Sequence, residues 1–217
     1  MLSLTEENYL KSIYHLSKAG VESVTTNALA EALNTKAASV TDMIKKLAAK
    51  DYISYEKYYG VQITARGKGA ALQVIRKHRL WETFLVQKLG FSWDEVHEVA
   101  EQLEHIQSPL LVEKLDEFLG HPAVDPHGHP IPDKNGNMKE VKKIPLTQAP
   151  VHQNVVVTAV KNGTPSFLQY LNKIGAHIGS LITIKEKIEF DGSLEVVVNG
   201  KPVFISREAA GNLLVTE

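Results

Sequence analysis

The chain has 217 residues, no cysteine, 43% hydrophobic and 23% charged residues, and a formal net charge of −1. Without cysteine it has no disulfide, thiol nucleophile or thiolate metal ligand. Its apolar runs, such as NVVVTAV, fall far short of the roughly 20 residues a bilayer span needs, and MLSLTEENYL is not a secretory leader, so the cytoplasm is the expected compartment.

Ser3 and Glu6 have the spacing of a capping box. Tyr9, Leu10, Ile13, Tyr14 and Leu16 follow at helical intervals, which predicts a first helix ending before Gly20. TTNALAEALN reads as a short Ala/Leu helix capped by Thr25 or Thr26. After a tight turn at NTK, AASVTDMIKKLAAKDYI forms a further helix with Val40, Ile44 and Leu47 as its buried stripe. Helix, short turn, helix is the arrangement that lets the later helix enter a major groove. YISYEKYYGVQIT then alternates around Lys57, Tyr58, Tyr59 and Gly60, and a hairpin with a basic, aromatic tip in this place reads as a wing. On this reading Lys36, Lys45, Lys46, Lys50 and Lys57 meet phosphates, with Tyr58 beside them, while Ser39, Thr41 and Asp42 face base edges. The competing reading is a three-helix domain with an ordinary lysine-rich surface. Residues 1–75 hold 9 Lys/Arg against 7 Asp/Glu, a modest excess that fits two such units in a dimer better than one alone.

TARGKGAALQVIRKHRLWETFLVQKLG predicts one long helix ended by Gly90. His78 and Glu82 lie one turn apart on it, either as a ligand pair or as a helix-stabilising pair. A second helix is expected from Ser92, and HEVAEQLEH lies on it. At about 100° per residue, His97, Glu101, Glu104 and His105 fall at roughly 0°, 40°, 340° and 80°. Val96, Val99, Ala100, Leu103 and Ile106 take the other side. Two imidazoles and two carboxylates on one arc are either a solvated face or a ligand set. PLLVEKLDEFLG predicts a third helix ending at Gly120. Residues 76–149 are acidic, with 9 Lys/Arg against 12 Asp/Glu, so clustered carboxylates here would repel one another until a cation arrives. HPAVDPHGHPIP, rich in proline, reads as an ordered linker with metal binding as a minor option, and PLTQAP reads as a second linker. From Val155 the texture is short β segments (NVVVTAV, SLITIKEK, SLEVVVNG, PVFIS) with one helix, PSFLQYLNKIG, among them, the pattern of a small barrel.

Taken in order, TEENYLKSIYHL, RKHRLWETFL, HEVAEQLEH and HGHPIP resemble the diphtheria toxin repressor family of metal-dependent transcriptional repressors, over essentially the whole chain. The resemblance implies an α+β multidomain protein: a winged helix-turn-helix over residues 1–73, a helical dimerisation and metal domain over 74–144, and an SH3-like β-barrel over 151–217. It implies a homodimer on double-stranded operator DNA that represses metal-uptake genes. It also implies an ancillary metal site at His78, Glu82 and His97, and a primary site at Glu101, Glu104 and His105 with Asn8 from the first helix. Glu101 matches the manganese-responsive branch, where the iron-responsive prototype has Cys. This harder, oxygen-rich donor set suits Mn²⁺, with Fe²⁺ close behind. Asn8 stands where the family carries Met or Asp. Lys11 replaces a Glu of the manganese branch, which argues against the same dinuclear arrangement. Gly163 and Ser166 do not repeat the ligands some members draw from the barrel, and His177 is a looser candidate there. No His-Glu-x-x-His motif is present, and no enzyme is expected. Two other classes stay open: a DNA-binding regulator whose His/Glu cluster is structural, and a metal-handling protein with no DNA role.

Overall fold

A computed structural model of the chain describes residues 2–56, 59–139 and 141–216. Two of the expected DNA contacts, Lys57 and Tyr58, lie outside the described residues. The elements run α1 (Leu4–Leu16), α2 (Thr26–Ala32), α3 (Ala37–Ala49), β1 (Ile53–Glu56), β2 (Gly60–Ile63), α4 (Ala65–Leu89), α5 (Val96–Leu103) and α6 (Pro109–Phe118). They continue with β3 (Ile144–Pro145), β4 (Asn154–Val160), α7 (Pro165–Ile174), β5 (Leu181–Lys187), β6 (Leu194–Val198), β7 (Lys201–Ile205), α8 (Arg207–Asn212) and β8 (Leu213–Thr216). The chain divides into two compact units, one of Met1–His78, Gln102–Pro109 and Pro132–Met138, the other of Arg79–Glu101, Leu110–Ile131 and Lys139–Glu217. Helices α4 and α5 each run through both.

The first unit is a winged helix-turn-helix. The capping box forms as expected: Ser3 Oγ accepts from the Glu6 amide at 3.3 Å, and the Ser3 amide donates to the Glu6 carboxylate at 2.8 Å. Thr25 caps α2 by accepting from the Ala28 amide. Tyr9, Leu10 and Ile13 of α1, Leu29 of α2, and Val40, Ile44 and Leu47 of α3 close one core with Ile53 and Val61 of the wing and Leu72 and Ile75 of α4. β1 and β2 pair antiparallel from Ile53↔Ile63 to Glu56↔Gly60. Val24 extends that ladder by exchanging both backbone hydrogen bonds with Val61, which anchors the wing to the segment that leads into α2.

In the second unit an antiparallel sheet of order β3-β8-β4-β5-β6-β7 wraps a core of Val155, Val157, Ile182, Ile184, Val196, Leu213 and Val215, with Leu168 and Leu171 of α7 packed into it. PLTQAP is not a linker. Ile144 and Pro145 pair with Val215 and Leu214, and Leu146 and Ala149 are fully buried in the barrel core, because the turn at Leu146–Gln148 folds its apolar residues inward. A smaller cluster joins Leu80 of α4, Leu115 of α6 and Ile131, with Trp81 and Phe84 against it. The described residues contain no helix long and apolar enough to cross a membrane.

Two boundaries differ from the periodicity. α5 starts at Val96 rather than near Ser92. Ser92 instead closes a turn in which its hydroxyl donates to Glu95 Oε2 at 2.8 Å. That turn leaves Trp93 free to pack against the barrel core and to donate from Nε1 to Asn172 Oδ1 at 2.8 Å. α5 also ends at Leu103, so Glu104 and His105 lie in the turn beyond it.

Candidate metal centre and nucleic-acid interface

That early helix end decides the geometry of HEVAEQLEH. On a continuous helix all four polar residues would share one arc, but here they separate into two groups. His97 and Glu101, still on α5, face each other with His97 Nε2 3.5 Å from Glu101 Oε1, their side chains 57% and 50% exposed. Glu104 turns inward and is fully buried. The four therefore do not share one face: His97 and Glu101 form an exposed pair, while Glu104 is buried and His105 partly so. The physical reason is the loss of helical phase after Leu103.

Around Glu104 and His105 the first unit builds a dense polar cluster. Glu104 Oε2 accepts from His78 Nδ1 at 2.5 Å and Glu104 Oε1 accepts from Lys11 Nζ at 2.5 Å. Burial drives the Glu104 carboxyl upward, but the His78 hydrogen bond and the Lys11 charge outweigh it and hold the group below its ordinary range. His105 Nδ1 lies 2.6 Å from Glu7 Oε2, and since a carboxylate only accepts, the proton sits on Nδ1. The lone pair is then on Nε2, which lies 3.7 Å from Glu104 Oε1. Glu7 also accepts from Gln107 Nε2 at 2.8 Å and faces Lys77 Nζ at 3.5 Å. A carboxylate that fixes the tautomer of an imidazole and aims its other nitrogen at an oxygen donor is the outer support of metal-ligating histidines. Asn8, expected as the ligand from the first helix, is exposed on α1. The α1 residue that meets His105 is its neighbour, Glu7. The resemblance places Lys11 at the site only as the replacement of a family Glu and does not point to Glu7; their partners lie 93 and 98 residues away in sequence, and no local pattern announces those contacts.

In the second unit Glu82 is buried on α4, with Oε1 3.3 Å from His97 Nδ1 and Oε2 3.6 Å from His127 Nδ1. His78 stands one turn before it on the same helix. Within the second unit Asp125, His127 and His129 form a group able to hold an ion, their ligand atoms all within 4.8 Å of one another. The stretch expected to be an ordered linker is this group. Its loop is tied to β4: Gly128 has φ +82°, and a Cβ there would sit 1.9 Å from the Thr158 carbonyl oxygen, so only glycine lets the loop close on the strand. Asp125 Oδ1 accepts from the amides of His127 and His129 at 2.8 and 2.9 Å. His127 Nε2 and His129 Nε2 donate to the carbonyls of Trp93 and Val160 at 2.8 and 2.9 Å.

Those two backbone bonds place the protons on Nε2, so each Nδ1 turns a lone pair toward a carboxylate: His127 toward Glu82, and His129 toward Asp125 Oδ2 at 3.2 Å. Lone pair against carboxylate is repulsive unless a proton or a metal ion lies between. Burial works against the charged His127 ring, but the Glu82 hydrogen bond and the charges of Glu82 and Asp125 prevail and raise its pKa above the ordinary histidine value. The spacing Asp-Pro-His-Gly-His is the signal that marks this group in the sequence.

On the nucleic-acid side, Lys36, Ser39, Thr41, Asp42, Lys45 and Lys46 are all exposed on or just before α3, opposite its buried stripe. Thr41 Oγ1 donates to the Ala37 carbonyl, and Lys45 lies 3.8 Å from Asp42. Lys46 and Lys50 reach back to Glu6 at 3.3 and 2.6 Å. Glu6 is almost fully buried. Burial raises its pKa, but the Lys50 hydrogen bond, the Ser3 amide and Lys46 bring it down to about 2. Adjacent residues of α1 thus hold the α3 helix on one side and His105 on the other.

Three family models match successive parts of the chain. Residues 1–61 match the family model of the iron dependent repressor N-terminal DNA binding domain, residues 64–133 that of the iron dependent repressor metal binding and dimerisation domain, and residues 144–217 the FeoA domain. The chain is 28% identical to the iron-dependent repressor IdeR of Mycobacterium leprae over 97% of this chain and 87% of that one. It is 26% identical to the diphtheria toxin repressor of Corynebacterium diphtheriae over 98% and 97%. Among solved structures, a manganese-dependent transcriptional repressor in complex with manganese superimposes with a TM-score of 0.86 at 33% identity, covering 98% of this chain and 99% of that one.

Proposed function

The chain belongs to the iron-dependent repressor family, and we propose that it is a transcriptional repressor that binds operator DNA as a homodimer when loaded with Mn²⁺ or Fe²⁺ and so controls metal-uptake genes. One observation carries the reading: Glu6 and Glu7, neighbours on α1, tie one helix both to the Lys46 and Lys50 end of α3 and to His105. Donors of metal-ligand type and the DNA-facing helix therefore share a mechanical connection.

The donor chemistry fits the ion. Every group offered is a carboxylate, an imidazole or a side-chain amide, and the chain has no cysteine, a set that suits Mn²⁺ and Fe²⁺ rather than thiolate-seeking ions. By the resemblance Glu101, Glu104, His105 and Asn8 would hold one ion, with Glu104 and His105 at its centre. By the same resemblance His78, Glu82 and His97 would hold a second, with His127 beside Glu82. When bound, an ion supplies positive charge that neutralises these clustered carboxylates. Glu7 keeps the His105 ring turned toward Glu104, and the carbonyls of Trp93 and Val160 do the same for His127 and His129.

Lys36, Lys45 and Lys46, with Lys57 and Tyr58 of the wing, would meet phosphates, and Ser39, Thr41 and Asp42 base edges. Residues 1–73 would serve DNA binding, 74–144 dimerisation and metal binding, and 151–217 form the SH3-like part. Leu89, Leu110 and Phe118 expose 58%, 66% and 63% of their surface on α4 and α6, an apolar face of the kind a dimer covers. We read the protein as a regulator rather than an enzyme, acting in the cytoplasm where its DNA is. An ion that binds the DNA-competent form ~100-fold more tightly shifts the balance by about 2.7 kcal/mol.

The test is fluorescence anisotropy with labelled duplex from upstream of metal-transport genes, in chelator and then with Mn²⁺, Fe²⁺ (anaerobically) and Zn²⁺ at one salt concentration. Metal-stimulated, sequence-specific binding that His105→Ala abolishes is the expected result. Equal binding in chelator would sink the metalloregulator reading.

A further inference from the structure

Glu104 is the most deeply buried acid in the first unit, with no solvent exposure, and its two oxygens are already spoken for. Oε2 takes the His78 proton, and Oε1 takes the ammonium of Lys11, a side chain only 15% exposed that reaches the site from α1. Oε1 is also the oxygen that His105 Nε2 faces at 3.7 Å. Glu104 and His105 would together hold a divalent ion, which would draw on the same carboxylate oxygen that Lys11 now uses. Two cations drawing on one oxygen in a water-poor site repel each other strongly.

We propose that Lys11 is a tethered counter-cation that holds the place of the metal at Glu104 in the ion-free protein, and that an entering ion must displace it. This inference rests on the reading of Glu104 and His105 as metal ligands. Lys11 then has two effects of opposite sign. In the ion-free protein it stabilises the fold, because a buried carboxylate without enough positive charge nearby is costly. For the ion it is a competitor, so the free energy that holds Lys11 in place is subtracted from metal affinity. Any purely packing role would move both quantities in the same direction. The arrangement also sets a threshold: the site fills only when the free ion is concentrated enough to outcompete an ammonium delivered at high local concentration by its own helix.

The test uses the full-length protein and two readouts that need no DNA: thermal unfolding in chelator, and calorimetric titration with Mn²⁺. Lys11→Met keeps most of the aliphatic stem and removes the charge; Lys11→Gln serves if the methionine variant folds poorly, and Lys11→Arg keeps the charge. The expected result is a lower midpoint in chelator for the uncharged variants together with Mn²⁺ binding at least about tenfold tighter, the factor that about 1.4 kcal/mol makes in a binding constant. Lys11→Arg should stay near wild type on both. Glu104→Gln should remove the tighter class of sites and, combined with Lys11→Met, erase the gain. If Lys11→Met binds Mn²⁺ no more tightly than wild type while Glu104→Gln still weakens binding, Lys11 is no competitor and the inference is overturned, with the site itself intact. If Glu104→Gln leaves Mn²⁺ binding unchanged, Glu104 is not a ligand, and both the site reading and the inference fall.

Discussion

Substituting Glu7 by Gln tests the support of His105 directly. The 2.6 Å bond from His105 Nδ1 joins two side chains that are only 10% and 6% exposed. Gln keeps an oxygen to accept that proton but removes the charge. A hydrogen bond to a charged group is worth about 1.5–3 kcal/mol net and a neutral one about 0.5–1.5, so the substitution costs on the order of 1–1.5 kcal/mol of His105 orientation. Metal affinity should therefore fall about tenfold, at the low end of the roughly 10–100-fold range known for outer-shell partners of ligating histidines. The fold should weaken as well, because Gln107 and Lys77 lose the carboxylate they now meet. At about 2–4 °C per kcal/mol for a chain of this size, the midpoint in chelator should drop by a few degrees. Titration calorimetry with Mn²⁺ gives the affinity and the stoichiometry, and the stoichiometry should be unchanged. Asn8→Ala is the informative contrast. The Asn8 side chain is exposed, so losing it should lower Mn²⁺ affinity as a ligand would while leaving the chelator midpoint where it was. If Glu7→Gln binds Mn²⁺ within twofold of wild type while His105→Ala does not bind at that site, the idea that Glu7 orients the ring is wrong.

Glu6 gives a pH signature. Its folded pKa of about 2 lies well below the ordinary glutamate value of 4.5, so its stabilisation is complete above about pH 4.5 and drains away as pH falls toward 2. Lys46 and Lys50 are 52% and 39% exposed, which limits the contribution to about 1–2 kcal/mol. Urea midpoints should fall more steeply from pH 5 to pH 3 in wild type than in Glu6→Gln, and parallel curves would contradict the ion-pair account. Lys45→Glu should weaken operator binding and flatten its dependence on log salt by about one or two phosphate contacts, while thermal unfolding stays within about 0.5 kcal/mol of wild type, as for other exposed sites; full retention of DNA affinity would remove this face of α3 from the interface. Asp125→Asn removes the charge beside His129 and should lower the total Mn²⁺ bound in equilibrium dialysis while Glu104-dependent binding persists. An unchanged total would mean that the loop serves only packing. Leu171→Ala, in the barrel core at full burial, should cost about 2–5 kcal/mol of stability and leave the Mn²⁺ titration of the folded protein unchanged.

Much of this protein is written locally. The Ser3–Glu6 capping box, the stripe of Val40, Ile44 and Leu47, the breaks at Gly20 and Gly90, and the alternating segments from Val155 each follow from contacts a few residues apart, and all take the form their spacing implies. The histidines and acids of the site are equally legible as residue types, and their order along the chain carries the family resemblance. Where they meet is a different matter. A helical wheel places Glu104 with His97 only while the helix continues, and α5 stops at Leu103. Asn8 is marked on α1 by the family resemblance alone; the packing of α1 beside the turn at His105 gives that contact to Glu7 instead. The PLTQAP stretch and the DPHGH loop read as connectors in the sequence because prolines interrupt them. One supplies a strand partner for β8 and the other a cluster of donors fixed by backbone bonds to β4. Short-range periodicity determined the elements. Pairings across nearly 100 residues decided which charges share a site, because the free energy of burying a carboxylate depends on what the rest of the fold brings within about 4 Å of it.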